Sequence, residues 1–126
     1  MVSDPASQSP AIQLDIAGAF LQIGDADVMR EMLSMMVELL ATETLKIASS
    51  LQAGDLSEVV GSLHSLKGSI PIFCTPSVIA LVEQSELTAK SGDVAQAHAD
   101  FLKLKPMLQQ LGDEIVQFLC SATPQS

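Results

Sequence analysis

An unbroken series of apolar residues near the C-terminal end restricts the possible folds of this chain more than any other feature. Apolar side chains recur there at spacings of three and four residues, at Val94, Ala97, Phe101, Leu104, Leu108, Leu111, Ile115 and Phe118. This spacing puts all of them on one side of an α-helix, as in the buried seam of a helical bundle. Because Pro106 and Gly112 interrupt the series without shifting its phase, we predict one kinked helix over 94–120 rather than two.

Turn signals divide the rest of the chain into four further helices. Glycine followed by aspartate occurs at 24–25, 54–55 and 92–93, where glycine suits the left-handed end of one helix and aspartate can cap the next. Thr75 as a cap and Pro76 at the first helical position mark another helix start. The predicted helices cover residues 12–23, 26–52, 56–70, 76–90 and 94–120.

Composition agrees with helices that pack through aliphatic side chains. Apolar residues make up 48% of the chain, yet aromatic residues only 3%, with no Trp or Tyr. The second predicted helix carries its own apolar stripe, and we interpret its methionines as core residues rather than as a binding surface. The stripe consists of Met29, Leu33, Met36, Leu40, Ile47 and Leu51.

Short connections between the long helices favour antiparallel packing of neighbours. We therefore predict an all-α protein, an antiparallel up-down four-helix bundle with a short additional N-terminal helix. The bundle is expected to cover residues 11–121. Residues 1–10 and 122–126 are polar and contain Ser and Pro, so we expect two flexible tails.

The charge of the chain excludes several functions. Fifteen acidic residues against six basic ones give a formal net charge of −9, which opposes binding to nucleic acid and to anionic membranes. No apolar run approaches the roughly 20 residues that span a bilayer, and the N-terminus does not resemble a signal peptide. We expect a cytoplasmic protein. Cys74 and Cys120 lack metal-ligand spacing and are expected to be free thiols.

A histidine on the third predicted helix stands out from its surroundings. His64 lies about 100° around the helix from Leu63, which belongs to the apolar stripe, so its imidazole projects from the flank of the helix. Gly61 and Gly68 occupy the adjacent turns on that flank, although each helical glycine costs about 1 kcal/mol relative to alanine. Lys67 adds a positive charge to the same face. His98, by contrast, has no cleared surroundings and is interpreted as structural or solvated.

These residue types suit the acceptance of a phosphoryl group. A neutral imidazole is a good nucleophile near pH 7, because its unperturbed pKa is about 6.5. Phosphoryl transfer needs in-line access and electrostatic support for charged oxygens. Lys67 can supply the support, and Gly68 leaves room for the phosphate and for an approaching protein. The expected partner surface consists of Ser57, Val60, Gly61, Lys67, Gly68 and Pro71.

The segment LHSLKGS, residues 63–69, resembles the signature of histidine-containing phosphotransfer (HPt) domains, His-x-Leu-Lys-Gly-small. The helix junctions around residues 23–33, 51–55 and 86–93 are also similar to that family. The resemblance implies a four-helix bundle whose histidine carries a phosphoryl group between the aspartates of receiver domains in a multistep phosphorelay. It implies that His64 is the phosphorylated residue, attacking through Nε2, with Lys67 and Gly68 supporting the phosphate.

The implied partners are the receiver domains of a hybrid sensor kinase and of a response regulator, with this chain acting as a monomer. We expect no cofactor and no metal in the chain itself, since Mg²⁺ would belong to the receiver's acidic pocket. The chain departs from the family pattern after the motif, where Pro71 should kink or end the helix and Cys74 replaces the usual glycine.

Two other functions stay open at this point. The unusual segment after the motif is compatible with a module that binds receiver domains without carrying phosphate. An autonomous kinase or hydrolase is a further alternative, although no Gly-rich phosphate loop and no nucleophile–base–orienter set is present in the sequence. We expect a phosphocarrier without an ATP-binding or kinase site of its own.

Overall fold

The computed structural model describes residues 12–121, and five helices make up most of this part of the chain. They are α1 (Ile16–Ile23), α2 (Ala26–Ala53), α3 (Leu56–Ser69), α4 (Pro76–Lys90) and α5 (Val94–Ser121). The predicted bounds agree to within one residue, except at the start of α1. The all-α prediction is confirmed. The expected tails, residues 1–10 and 122–126, lie outside the described residues.

Aspartate side chains begin the helices where the sequence predicted. Oδ1 of Asp25, Asp55 and Asp93 accepts a hydrogen bond from the backbone N–H three residues later, at 3.0, 3.2 and 3.0 Å respectively. Gly24 and Gly54, which end α1 and α2, have φ angles of 79° and 74°, a conformation that costs glycine little. These local signals explain why sequence alone located the helix ends so closely.

The four long helices form a closed ring around one core. α2 packs against α3 and α5, α4 also packs against α3 and α5, and α1 packs on α2. The α5 seam is buried from Ala97 to Ile115, whereas Phe118 is half-buried. Val94 is exposed, contrary to the prediction, because it is the first residue of α5 and lies at the end of the bundle. Met29 and Met36 are buried as predicted, but Met35 is exposed.

A short strap explains why α1 starts at Ile16 and not at residue 12. Residues 13–15 pair with residues 73–75: the Asp15 N–H donates to the Phe73 carbonyl at 2.8 Å, and the Thr75 N–H donates to the Gln13 carbonyl at 2.9 Å. Oε1 of Glu114, on α5, accepts from the N–H groups of both Gln13 and Leu14 at 2.9 Å. These backbone groups are therefore satisfied without a helix.

The Thr75 hydroxyl also takes part in this strap instead of capping α4. Its Oγ1 donates to Oε1 of Gln13 at 3.1 Å, and it makes no hydrogen bond to the α4 backbone. The sequence correctly predicted Thr75 and Pro76 at the start of the helix. The predicted capping bond is wrong, because the strap offers the hydroxyl another acceptor.

Pro71 lies just beyond the end of one helix, and Pro106 lies inside another. α3 ends at Ser69, two residues before Pro71, which confirms that the helix stops soon after His64. α5 continues through Pro106 as one helix. Pro106 cannot donate to the carbonyl of Leu102, but both residues are exposed, so water can satisfy that carbonyl.

Candidate functional site

The His64 side chain stands clear of the bundle on the flank of α3. It is 72% exposed, so its ring is open to an approaching protein. Gly61 and Gly68, one turn before and after it, are exposed, and a Cβ atom added at either glycine would meet no atom within 4 Å. The glycines therefore leave open space beside the imidazole and are not required by tight packing.

A buried carboxylate lies beneath this open histidine. Glu86, on α4, is 2% exposed, and three basic side chains converge on it. Lys67 Nζ lies 2.8 Å from Oε1, while Lys90 Nζ and His64 Nδ1 lie 3.3 and 3.4 Å from Oε2. Glu86 thus connects the histidine of α3 to cations from both α3 and α4. We call His64, Lys67, Glu86 and Lys90 the Glu86 cluster.

The charges in the Glu86 cluster stabilise one another. The hydrogen bond from Lys67, together with the nearby charge of Lys90, lowers the pKa of Glu86, although burial acts in the opposite direction. The hydrogen bond to Glu86 raises the pKa of Lys67, again against the effect of burial. At neutral pH Glu86 is therefore a carboxylate and Lys67 an ammonium group.

The helix pattern of α4 accounts for the position of Glu86. The residues of α4 that face the core include Val78, Val82, Ser85 and Ala89, and Glu86 shares this side of the helix. A buried carboxylate is unfavourable unless positively charged groups pair with it. Lys90, four residues later, lies on the same face of α4, and Lys67 reaches Glu86 from α3.

The predicted site residues lie together on the outer side of α3. Ser57, Gly61 and Gly68 are exposed, as is Pro71 just beyond the helix, and Val60 is half-buried. Lys67 is also half-buried, and it is bound to Glu86. Sequence reasoning missed Glu86 and Lys90 altogether. The sequence feature that could have indicated them is an acidic residue at a position of α4 that faces the core, followed four residues later by lysine.

The geometry of the Glu86 cluster favours one tautomer of His64. A carboxylate 3.4 Å from Nδ1 favours the proton on Nδ1, which leaves the lone pair of the other ring nitrogen, Nε2, free. An imidazole held in this way can act as a nucleophile through Nε2. The open positions at Gly61 and Gly68 give an in-line partner access to that face.

Three further features of residues 12–121 concern metal sites, membrane-spanning helices and cysteines. The structure places no three His, Cys, Asp or Glu side chains of this range together as a potential metal site. Within the same range, no helix combines the length and apolar character needed to cross a membrane. Cys74 and Cys120 are free, as expected, and burial raises the pKa of the Cys74 thiol to about 12.

Comparison with known proteins agrees with this geometry. The family model of the Hpt domain matches residues 31–114, which include α3, α4 and the whole Glu86 cluster. The chain belongs to the Hpt domain family. It is therefore a histidine phosphotransfer module of two-component signalling. Hpt domains are phosphocarriers rather than kinases, and they interact with receiver domains.

The fold of the chain also resembles a solved Hpt structure. The crystal structure of the HPT domain from an Hpt sensor hybrid histidine kinase of Shewanella superposes with a TM-score of 0.73. The two chains share 22% sequence identity over 84% of this chain and 92% of the other. No curated protein sequence matches the chain.

Proposed function

We propose that this Hpt domain carries a phosphoryl group on His64 between receiver-domain aspartates in a multistep phosphorelay. The observation that carries the proposal is an exposed imidazole whose Nδ1 faces a buried carboxylate at 3.4 Å. The family provides the chemistry, and this contact supports reaction through the other ring nitrogen, Nε2. His98, the other histidine, is exposed and belongs to no comparable cluster among the described residues.

The transfer step follows from the tautomer. The Nε2 lone pair of neutral His64 forms a bond to phosphorus as the bond from phosphorus to the aspartyl oxygen of the receiver breaks. The aspartate leaves as a carboxylate, and the imidazole, still protonated on Nδ1, becomes positively charged. Glu86 stabilises this charge from 3.4 Å, so no proton has to leave the ring. The reverse sequence delivers the phosphoryl group to a second receiver.

In this proposal Lys67 binds the phosphoryl group, and Lys90 stays paired with Glu86. Lys67 Nζ lies one turn from His64 and has hydrogens beyond the one directed at Glu86, so it can also bond a phosphoryl oxygen. Lys90 keeps Glu86 paired when Lys67 turns toward the phosphate. This sharing holds the buried carboxylate charged throughout the reaction. Mg²⁺ would come with the acidic pocket of the receiver, and the chain itself needs no cofactor.

The docking surface in this proposal is the outer side of α3. Ser57, Gly61, Gly68 and Pro71 are exposed around His64, and half-buried Val60 adds a small apolar contact. Weak and transient signalling encounters bury small areas, for which a surface of this kind is sufficient. Since α3 ends at Ser69, the segment that follows gives the surface an edge formed by a turn rather than by a continued helix.

Incubation with a phosphorylated receiver domain tests the proposal directly. The wild type should take up acid-labile, base-stable label, and His64→Gln should take up none. The matched control is His98→Gln, which changes the other exposed histidine in the same way and should label normally. Equal labelling of the His64 variant would contradict the assignment. Receiver binding without any labelling of the wild type would identify a non-phosphorylated interaction module instead.

A further inference from the structure

A cavity of the described chain lies on the side away from His64. It is a groove between α2 and α5 with a volume of about 390 Å³, which we call the α2–α5 groove. In the ring of four helices, the α2–α5 pair is opposite the α3–α4 pair that carries the Glu86 cluster. The phosphotransfer chemistry does not use this groove, and its lining is mostly apolar.

The exposed side of α5 along the groove has a self-complementary order of residues. Lys105 and Asp113 line the groove four residues before and four residues after Gln109. Leu102 and Val116 lie seven residues before and after Gln109, on the same face of the helix, and both are exposed. The stripe therefore reads apolar, cation, amide, anion, apolar, with Gln109 at its centre.

From this stripe we infer that a second copy of this chain docks on the α2–α5 groove about a two-fold axis near Gln109. A two-fold axis makes the two α5 helices antiparallel and pairs each patch with itself. Lys105 of one copy would then face Asp113 of its partner, and Leu102 would face Val116. Each position on the stripe thus meets a complementary one, which a partner without this symmetry would match only by coincidence.

The α2 side of the groove supplies an apolar contact for the same interface. Leu45 is 72% exposed at the rim of the groove, so its side chain is available for contact with the second copy. Gly112 carries no side chain, and an added Cβ there would meet only Leu40, at 3.9 Å. This missing side chain leaves space in the groove where an apolar side chain of the second copy can enter.

Charge and position make such a dimer compatible with phosphotransfer. Lys105 and Asp113 are the charged residues of the lining, so the groove is formally neutral although the chain carries −9. The acidic charge that would repel a second copy therefore lies elsewhere on the surface. Since the groove is opposite His64, the His64 side chains of both copies stay open to receivers. This differs from the monomer expected from the sequence.

Sedimentation equilibrium of the full chain tests the interface. The protein concentration should range from about 1 µM to about 1 mM, in about 0.15 M salt, because salt screens long-range repulsion. The wild type should form dimers as concentration rises. Lys105→Asp should weaken dimerisation at least about tenfold, because two like-charge contacts replace two ion pairs. Lys103→Asp is the control, since it makes the same charge change on α5 away from the stripe and should dimerise normally.

The charge-swapped double variant, Lys105→Asp with Asp113→Lys, gives the decisive measurement. It restores complementarity across a two-fold axis and should recover dimerisation to within about threefold of the wild type, because each introduced aspartate again faces a lysine of the partner copy. Leu45→Asp should abolish the dimer, while His64→Gln should keep it. A wild type that is monomeric at every concentration, or a double variant as weak as Lys105→Asp, overturns the proposal. If Leu45→Asp instead lowers the free energy of unfolding of a wild type that is monomeric, the groove is covered by a segment of the same chain.

Discussion

Gly68 is the residue at which stability and access to His64 can be separated. A Cβ atom at this position meets nothing within 4 Å, so alanine fits there, and a leucine side chain would extend from an exposed position. Each should stabilise α3 by up to about 1 kcal/mol, because glycine is a poor helix former. Leucine alone adds enough bulk to obstruct the approach to the imidazole.

We therefore expect Gly68→Leu to slow transfer from a receiver by on the order of 10²-fold, and Gly68→Ala to slow it much less. Quench-flow labelling gives the transfer rates, and thermal unfolding gives the stabilities. Unchanged transfer in the leucine variant would show that open space at Gly68 has no part in access.

Lys67 is both a structural residue and a candidate phosphate ligand. Its ammonium group lies 2.8 Å from the buried carboxylate of Glu86, and Lys67→Ala leaves that carboxylate with fewer cations. We expect the variant to unfold at lower denaturant concentration than the wild type and to transfer phosphate more slowly. Urea unfolding and labelling rates measure the two effects separately.

The double variant Lys67→Ala with Glu86→Gln separates these roles. Removing the charge of Glu86 should restore much of the lost stability, because an amide costs less to bury than an unpaired carboxylate. Transfer should remain slow, since the phosphate still lacks its ammonium group. If the double variant recovers both the transfer rate and the stability, Lys67 is purely structural and does not bind the phosphoryl group.

Glu86 predicts a specific dependence of stability on pH. Its pKa is lowered in the folded protein, chiefly by Lys67, so its ionised form stabilises the fold above the unfolded-state pKa of about 4.3. This contribution is lost as the pH falls through the lower folded-state value. The raised pKa of Lys67 puts the corresponding alkaline loss above about pH 10.4.

The free energy of unfolding of the wild type should therefore exceed that of Glu86→Gln by a constant amount between about pH 8 and pH 9, above the range in which histidine side chains ordinarily titrate. The difference should shrink below about pH 4.3. Urea denaturation at a series of pH values measures it. A difference that persists undiminished to pH 2.5 would mean that Glu86 gains no stabilisation from ionisation.

At the scale of elements, Glu114 holds the strap in place. One carboxylate oxygen accepts two backbone hydrogen bonds, from Gln13 and Leu14. Glu114→Ala removes this acceptor and should destabilise the protein by about 2 kcal/mol, with faster amide exchange at both residues. Glu114→Gln keeps an oxygen acceptor and serves as the control. Exchange in Glu114→Ala as slow as in the wild type would show that the contact stabilises nothing.

Elements also show how far local signals reach. The starts of α2, α3 and α5 follow from aspartate caps three residues away from the groups that they bind, so a short stretch of sequence contains the whole interaction. α1 also has a local aspartate cap, Asp15, but the strap just before it is held by Glu114, about 100 residues away in the chain. Sequence periodicity has no access to such a partner, which is why the prediction extended α1 to residue 12.

At the scale of the whole molecule, the seam of α5 should carry much of the stability. Leu111 is fully buried, whereas Leu21 is 84% exposed. Leu111→Ala should lower the free energy of unfolding by about 2–5 kcal/mol through lost burial and a remaining cavity, and Leu21→Ala should change it little. Chemical denaturation of both variants measures the contrast, and similar losses would contradict the assignment of α5 to the core.

The sequence by itself determined the helices, the bundle and the exposed histidine. These depend on periodic apolar residues, caps and glycines whose effects act within a few residues. Only the tertiary structure brought Glu86 and Lys90 to His64 and Lys67, and only it opened the α2–α5 groove. Such contacts join different helices, and the rotation of one helix against its neighbour decides them. A one-dimensional pattern gives the buried side of each helix but not the partner that each polar side chain meets.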